Sequence, residues 1–152
     1  MQPSDSSQSG DRDFITCCRE RGIKPTHQRT EIYRALMARE DHPNAETLYA
    51  AVKERVPTIS LDTVYRTLRL FEEKGLVARV STAGDSMRFD GNINRHHHFV
   101  CVQCHKVRDF YDDDFDRLKT PQTISRLGEI DSVHVELRGV CNDCQRQKRK
   151  KT

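Results

Sequence analysis

The chain has 152 residues, 35% hydrophobic and 32% charged, with a formal net charge of +3, six cysteines and seven histidines. That length makes one domain or two small ones, and the low apolar fraction allows only a modest core. No apolar run approaches the roughly 18 residues of a membrane span, and the polar start MQPSDSSQSG lacks the pattern of a secretory signal, so a cytoplasmic protein without membrane association is expected. The charge does not point to nucleic acid by itself: Arg146, Lys148, Arg149, Lys150 and Lys151 supply much of it, and without them the net charge is −2.

In chain order, residues 1–12 read as disordered and 13–21 as a short helix stopped by Gly22. Thr26 caps a second helix with Ile32, Tyr33 and Leu36 as its buried stripe. After the break at His42-Pro43-Asn44, Asn44 caps a third with Leu48, Tyr49 and Val52 inward. Pro57 interrupts again, and Ser60 opens the most regular stretch. There Leu61, Val64, Leu68 and Phe71 recur at helical spacing, Gly75 marks the end, and Asp62, Tyr65, Arg66 and Arg69 fall on the other faces.

Short β-like runs at 76–80 and 86–89 flank the turn Ala83-Gly84-Asp85. Helices followed by a hairpin make a winged helix-turn-helix, placed at 13–83 with a linker at 84–91. Its last helix would enter the major groove, making Tyr65, Arg66 and Arg69 candidates for base and phosphate contacts. The alternative is a helix whose arginines are merely solvated and whose tyrosine is core.

Residues 92–145 form a second, smaller unit: strands at 96–101, 106–110 and 132–140 in a three-stranded antiparallel sheet, and a short helix at 112–118. The fold class is therefore α+β. So small a unit buries little by itself, and a metal and a partner chain are the expected supplements. Residues 146–152 read as a solvated, disordered basic tail.

Four cysteines form two C-x-x-C pairs, Cys101 with Cys104 and Cys141 with Cys144, while Cys17 and Cys18 read as half-buried helix residues. Two such pairs suit one structural Zn²⁺ held by four thiolates, with disulfides or a redox dithiol as the alternatives. The run His96-His97-His98 places His96 and His98 on one face of a strand and His97 on the other, half of a nitrogen–oxygen metal site that Asp90 and Asp109 could complete. A polar strand that merely carries histidines is the alternative.

The segments Gly22-Ile-Lys-Pro-Thr-His-Gln-Arg29, His42-Pro-Asn-Ala-Glu-Thr-Leu-Tyr49, Ser60-Leu-Asp-Thr-Val-Tyr-Arg-Thr-Leu68, Arg88-Phe-Asp90, His96-His-His98 and the two C-x-x-C pairs, in this order, resemble the ferric uptake regulator (Fur) family of bacterial metal-responsive repressors. The resemblance runs from about residue 13 to residue 146 and implies an N-terminal winged helix that binds double-stranded operator DNA, a C-terminal homodimerisation domain, and no organic cofactor. It also implies a regulatory Fe²⁺ or Mn²⁺ at His42, Asp90, His96, His98 and Asp109, held between the domains. Aspartate rather than glutamate at position 90 resembles the peroxide-sensing, PerR-type branch, in which iron-catalysed oxidation of ligand histidines, here His42 and His96, releases DNA and derepresses oxidative-stress genes.

Four positions depart from the family pattern. Arg95 and Val133 stand where ligands of a further metal site would be histidines, with His134 one residue off. Asp62 opens the recognition helix where a small residue is common, and His105 replaces a usual glycine. An iron- or zinc-responsive uptake repressor of the same family is the nearest alternative. A small metalloenzyme or thiol oxidoreductase is the more distant one. No H-E-x-x-H motif or nucleophile elbow supports an enzyme, and no catalytic residue is assigned.

Overall fold

The computed structural model describes residues 6–80 and 87–151, with side chains from residue 13 onward. It divides into two compact units between Ile93 and Asn94. The expected turn at Ala83-Gly84-Asp85 lies outside the described residues. Among the described residues no helix is long and apolar enough to cross a membrane.

The first unit carries α1 (Ser6–Glu20), α2 (His27–Met37), α3 (Ala45–Lys53), α4 (Leu61–Glu73) and an antiparallel ribbon of β1 (Ala78–Val80) and β2 (Arg88–Asp90). The starts of three helices are written locally. Thr26, Asn44 and Ser60 each accept the backbone N–H of the residue three positions on, at 3.3, 2.8 and 3.1 Å. Gly22 and Gly75, at φ of 68° and 73°, turn the chain out of α1 and α4 through the left-handed region that a side chain disfavours.

One hydrophobic cluster joins these elements, with Ile32 and Leu36 from α2, Leu48 and Val52 from α3, and Val64, Leu68 and Phe71 from α4. Phe14 of α1 stacks on Tyr33 with ring centroids 4.6 Å apart and meets Phe71 edge-on at 5.9 Å. Of the apolar stripe expected on α4, Leu61 is only half-buried. Thr67 is buried in its stead, because the inner face follows positions 64, 67, 68 and 71.

The second unit carries β3 (His97–Cys101), β4 (Val107–Phe110), α5 (Asp113–Asp116), a 3₁₀ turn (Gln122–Arg126), β5 (Glu136–Gly139) and α6 (Asn142–Lys150). The sheet order is β4-β3-β5. Its buried apolar residues are Val100, Cys101, Val107 and Cys144.

Five expectations need correction. The antiparallel sheet is mixed: β4 pairs antiparallel with β3, but β5 runs parallel to it, His98 opposite Glu136 through Cys101 opposite Gly139. β4 ends beside His97, at the starting end of β3, and the segment through α5 and the 3₁₀ turn carries the chain from there to the opposite edge of β3, so that β5 runs parallel to it. The run expected as a strand over 132–140 is ordered as β5 only over Glu136–Gly139, since His134 and Val135 bond histidines of the neighbouring strand. Helix α1 begins at Ser6, inside the segment read as disordered, and α6 carries most of the basic tail. Asp143 in the first turn of α6 and Lys148, Arg149 and Lys150 in its last match the helix dipole, and the segment has no glycine or proline. Finally, β2 occupies part of the segment read as a linker at 84–91 and pairs within the first unit.

Candidate metal centres and nucleic-acid face

The four sulfurs of Cys101, Cys104, Cys141 and Cys144 lie within 4.8 Å of one another. Cys101 closes β3, Cys104 sits in the turn that follows, Cys141 caps α6 and Cys144 lies in its first turn. The Cys101–Cys144 and Cys104–Cys141 sulfur pairs are 3.9 and 3.7 Å apart. Disulfide sulfurs would sit at ~2.05 Å. A tetrahedral site with zinc–sulfur bonds of ~2.3 Å has edges of about 3.8 Å, so the cluster fits a four-thiolate zinc site.

Electrostatics favours the same reading. The backbone N–H groups of Cys104 and Cys141 donate to Cys101 Sγ at 3.5 and 3.3 Å and bring its thiol down to about 5. The adjoining Cys141 sulfur and burial push Cys144 up to about 12. Thiolates packed this closely repel, so the cluster holds either protons or a cation. His105, after this turn, has φ of 62° and donates its N–H to Cys101 O at 2.9 Å. That left-handed conformation explains why glycine suits the position. Cys18 belongs to the core of the first unit, where burial raises its thiol pKa, and Cys17 is half-buried beside it.

A second group of donors begins in the first unit. Phe89 N–H donates to Pro43 O at 3.1 Å, and Arg88 reaches the carbonyl oxygens of Asp41 and His42 at 3.3 and 3.4 Å. These ties hold the α2–α3 connection against β2 and bring His42 Nδ1 to 3.5 Å from Asp90 Oδ1. Asp90 Oδ1 also accepts the N–H of Asn92 at 2.8 Å. His42 adopts φ of 49°, an uncommon conformation for a side-chain-bearing residue and one that concentrates at functional positions.

In the second unit His96, His98 and Asp109 converge. His98 Nε2 lies 3.0 Å from His96 Nε2 and 3.2 Å from Asp109 Oδ1, and His96 Nε2 lies 3.5 Å from the same oxygen. His96 Nδ1 donates to the carbonyl of Asn94 at 2.5 Å, which leaves Nε2 of the neutral ring with a lone pair. Two imidazole nitrogens and a carboxylate oxygen this close form an acceptor-rich pocket that a divalent ion suits.

His97 is built differently, as its place on the other face of the strand predicts. The N–H of Val135 donates to its Nδ1 at 3.2 Å, so Nε2 carries the proton and donates to Asp116 at 2.8 Å. Its ring lies 5.6 and 5.8 Å from those of Phe110 and Phe115. His97 is thus a fully buried structural histidine. Asp116, Arg88 and His134 are supports that the sequence pattern did not flag. The period of two in the histidine run was the one local sign that His97 needed a partner elsewhere.

On α4, Tyr65, Arg66 and Arg69 are exposed beside the β1–β2 ribbon, in a cleft of about 350 Å³ that Arg79 also lines. Tyr65 is not a core residue: it is 43% exposed, and its hydroxyl donates to Glu46 of α3 at 2.5 Å. That bond lowers the Glu46 pKa and raises that of Tyr65. Asp62 pairs with Arg66 at 2.9 Å, one turn along the same helix, and Glu72 with Arg79 at 2.9 Å.

Residues 20–138 match the Ferric uptake regulator family. The chain is 35% identical to the peroxide-responsive repressor PerR of Staphylococcus saprophyticus, over 88% of this chain and 90% of that protein. It is 33% identical to PerR of Staphylococcus epidermidis, over 88% of this chain and 89% of that protein. Among solved structures it resembles the ferric uptake regulator from Pseudomonas aeruginosa with manganese, at 30% identity and a TM-score of 0.69, covering 84% of this chain and 97% of that one. The chain therefore belongs to the ferric uptake regulator family, and it is a metal-responsive regulator rather than an enzyme.

Proposed function

We propose that the protein is a homodimeric, metal-dependent repressor in the cytoplasm that binds double-stranded operator DNA and senses hydrogen peroxide. Zn²⁺ at Cys101, Cys104, Cys141 and Cys144 would hold the second unit together, and Fe²⁺ or Mn²⁺ would bind His42, Asp90, His96, His98 and Asp109. The observation that carries the peroxide reading is Asp90. It stands 3.5 Å from His42 with an aspartate side chain, the residue typical of the peroxide-sensing branch, in a chain 33% and 35% identical to two repressors named for that response.

His42 and Asp90 belong to the first unit, and His96, His98 and Asp109 to the second. An ion bound by all five stabilises only the arrangement that engages both sets, and it shifts the population of DNA-binding-competent protein by that difference in affinity. Fe²⁺, when bound, would supply the electron that splits hydrogen peroxide; overall one peroxide oxygen would be taken up at a ring C–H of a neighbouring imidazole and the other would leave as water. His42 and His96 are the proposed targets, because an oxidised imidazole binds metal poorly and would no longer help to hold the two sets together. Tyr65, Arg66 and Arg69 are the proposed DNA contacts, with the winged helix over 13–83 and dimerisation assigned to 92–145. Exposed apolar side chains in the second unit, among them Leu118, Leu127 and Leu137, supply surface for a second copy.

DNA binding measured with Mn²⁺ and with Fe²⁺ at fixed salt, before and after hydrogen peroxide, tests the reading. Both metals should tighten sequence-specific binding, and peroxide should abolish it in the Fe²⁺ form alone, with one added oxygen on His42 or His96 by mass spectrometry. Fe²⁺-dependent binding that survives peroxide, with neither histidine oxidised, would replace this reading by an iron- or zinc-responsive uptake repressor. The 30% identity to the Pseudomonas aeruginosa ferric uptake regulator favours that second reading.

A further inference from the structure

His134 lies just before β5, in none of the proposed ligand positions, yet both of its ring nitrogens are engaged. Nδ1 is 3.1 Å from the carbonyl oxygen of His96, and Nε2 is 2.9 Å from Nδ1 of His98. A carbonyl oxygen only accepts, so the His134 proton sits on Nδ1 and the Nε2 of its neutral ring is an acceptor. His98 must then donate from Nδ1, which makes Nε2 the unprotonated nitrogen of its neutral ring. That nitrogen is the one 3.0 Å from His96 Nε2 and 3.2 Å from Asp109 Oδ1.

We propose that His134 is a positioning residue of the regulatory metal centre: it holds His98 in the Nδ1–H tautomer, so that His98 Nε2 faces the ion unprotonated, and it does not ligate the ion itself. The inference rests on His98 and Asp109 being metal ligands, as proposed above. The competing arrangement is specific. Without an acceptor at Nδ1, His98 can carry its proton on Nε2 and donate it to Asp109, which occupies two ligand atoms with one hydrogen bond. A metal must then break that bond before it binds. His134 removes the competitor in advance, the role that an outer hydrogen-bond partner of a ligating histidine commonly fills. Because the carbonyl it bonds is that of His96, it also ties the backbone between the two ligand histidines to the segment entering β5.

The test uses the full chain, zinc-loaded and free of regulatory metal, with ¹⁵N-labelled histidine. Long-range ¹H–¹⁵N spectra report each ring's tautomer, and Mn²⁺ titration followed by electron paramagnetic resonance reports affinity. His98 should show a protonated Nδ1 in the wild type and in His134→Gln, whose side-chain carbonyl can still accept. In His134→Leu it should move toward the Nε2–H form. Mn²⁺ should then bind about 10–100-fold more weakly to His134→Leu, and His134→Gln should recover most of the loss. Unchanged zinc content and unchanged backbone amide spectra outside this loop separate the effect from misfolding.

Equal His98 tautomer and equal Mn²⁺ affinity in His134→Leu and the wild type would overturn the proposal. So would a His134→Gln variant that loses Mn²⁺ as fully as His134→Leu, since that outcome makes His134 a ligand. Failure of the underlying metal reading is separately visible, because the wild type itself would take up no Mn²⁺, and the positioning role would fall with it.

Discussion

Among the described residues, sixteen buried side chains make one hydrophobic cluster in the first unit, and its three-ring contact of Phe14, Tyr33 and Phe71 needs no polar help. In the second unit Val100, Cys101, Val107 and Cys144 are the buried apolar residues, two of them belong to the sulfur cluster, and His97 is fully buried beside them. Burying an aliphatic or aromatic side chain contributes about 1.5–3 kcal/mol, so packing stabilises the first unit far more than the second, where Val100 and Val107 are the buried aliphatic side chains. Bound metal at a structural site contributes apparent free energies of about 10–16 kcal/mol in zinc-finger peptides. The difference teaches that the same chain uses non-directional packing where DNA contacts are proposed and directional coordination where metal is proposed to be read.

Removing a sulfur ligand should break that contrast most sharply. Cys144→Ser should lose stoichiometric zinc and amide protection throughout the second unit, a cost on the order of 10 kcal/mol, while the first unit keeps its protected amides. Hydrogen exchange followed by mass spectrometry checks both halves in one experiment, and a strong chelator on the wild type should reproduce the pattern. Retained protection in the second unit would mean that its sheet, not its sulfurs, holds it.

The converse variant is Phe71→Ala. Phe71 is fully buried where α4 meets α1 and α2. Its truncation should cost about 3–5 kcal/mol in urea unfolding of the first unit and leave zinc content unchanged. A loss of zinc would show that the two kinds of stabilisation are not independent.

Local rules explain why so much of the first unit was readable from sequence. Thr26, Asn44 and Ser60 cap helices through bonds that span three residues, and Gly22 and Gly75 end helices through their own φ. The cysteine pairs were equally plain, since each C-x-x-C is a local turn chemistry. What escaped was set by partners far along the chain. The direction of β5 depends on where the crossover returns it, and nothing within Glu136–Gly139 encodes that. Arg88 reaches across to the carbonyls of Asp41 and His42, Asp116 holds His97, and His134 bonds His96 and His98, all at separations that no periodicity reveals. Tyr65 was placed on the right face of its helix, but the bond tying its hydroxyl to Glu46 was not foreseeable.

His97 tests the polar part of the second unit's interior. His97→Phe keeps an aromatic ring against Phe110 and Phe115 but leaves the Val135 N–H and the Asp116 carboxylate without their imidazole partner. The expected loss is about 1–3 kcal/mol, read in denaturant at full zinc occupancy, with the metal binding proposed for His96 and His98 kept because they lie on the opposite face. An unchanged midpoint would show that this network orients the strand without stabilising it.

The smallest effect concerns a left-handed position in the second unit. The first unit leaves α1 and α4 through Gly22 and Gly75, whereas the turn after the first cysteine pair uses His105 at φ of 62°, with its Nδ1 buried and, among the described residues, without a hydrogen-bond partner. A side chain in that conformation costs roughly 1–2 kcal/mol relative to the ordinary helical region. Glycine relieves it but gives the unfolded chain more freedom, which returns part of the gain. His105→Gly should therefore stabilise the second unit by about 1 kcal/mol, read as slower zinc loss to a chelator and a higher urea midpoint. The geometry of the sulfur cluster should not change, because the Cys101 and Cys104 backbone already sits where the turn needs it. A destabilised variant would mean that the imidazole packs productively over the cysteine turn, and that coordination in this unit draws on side chains beyond its four sulfurs.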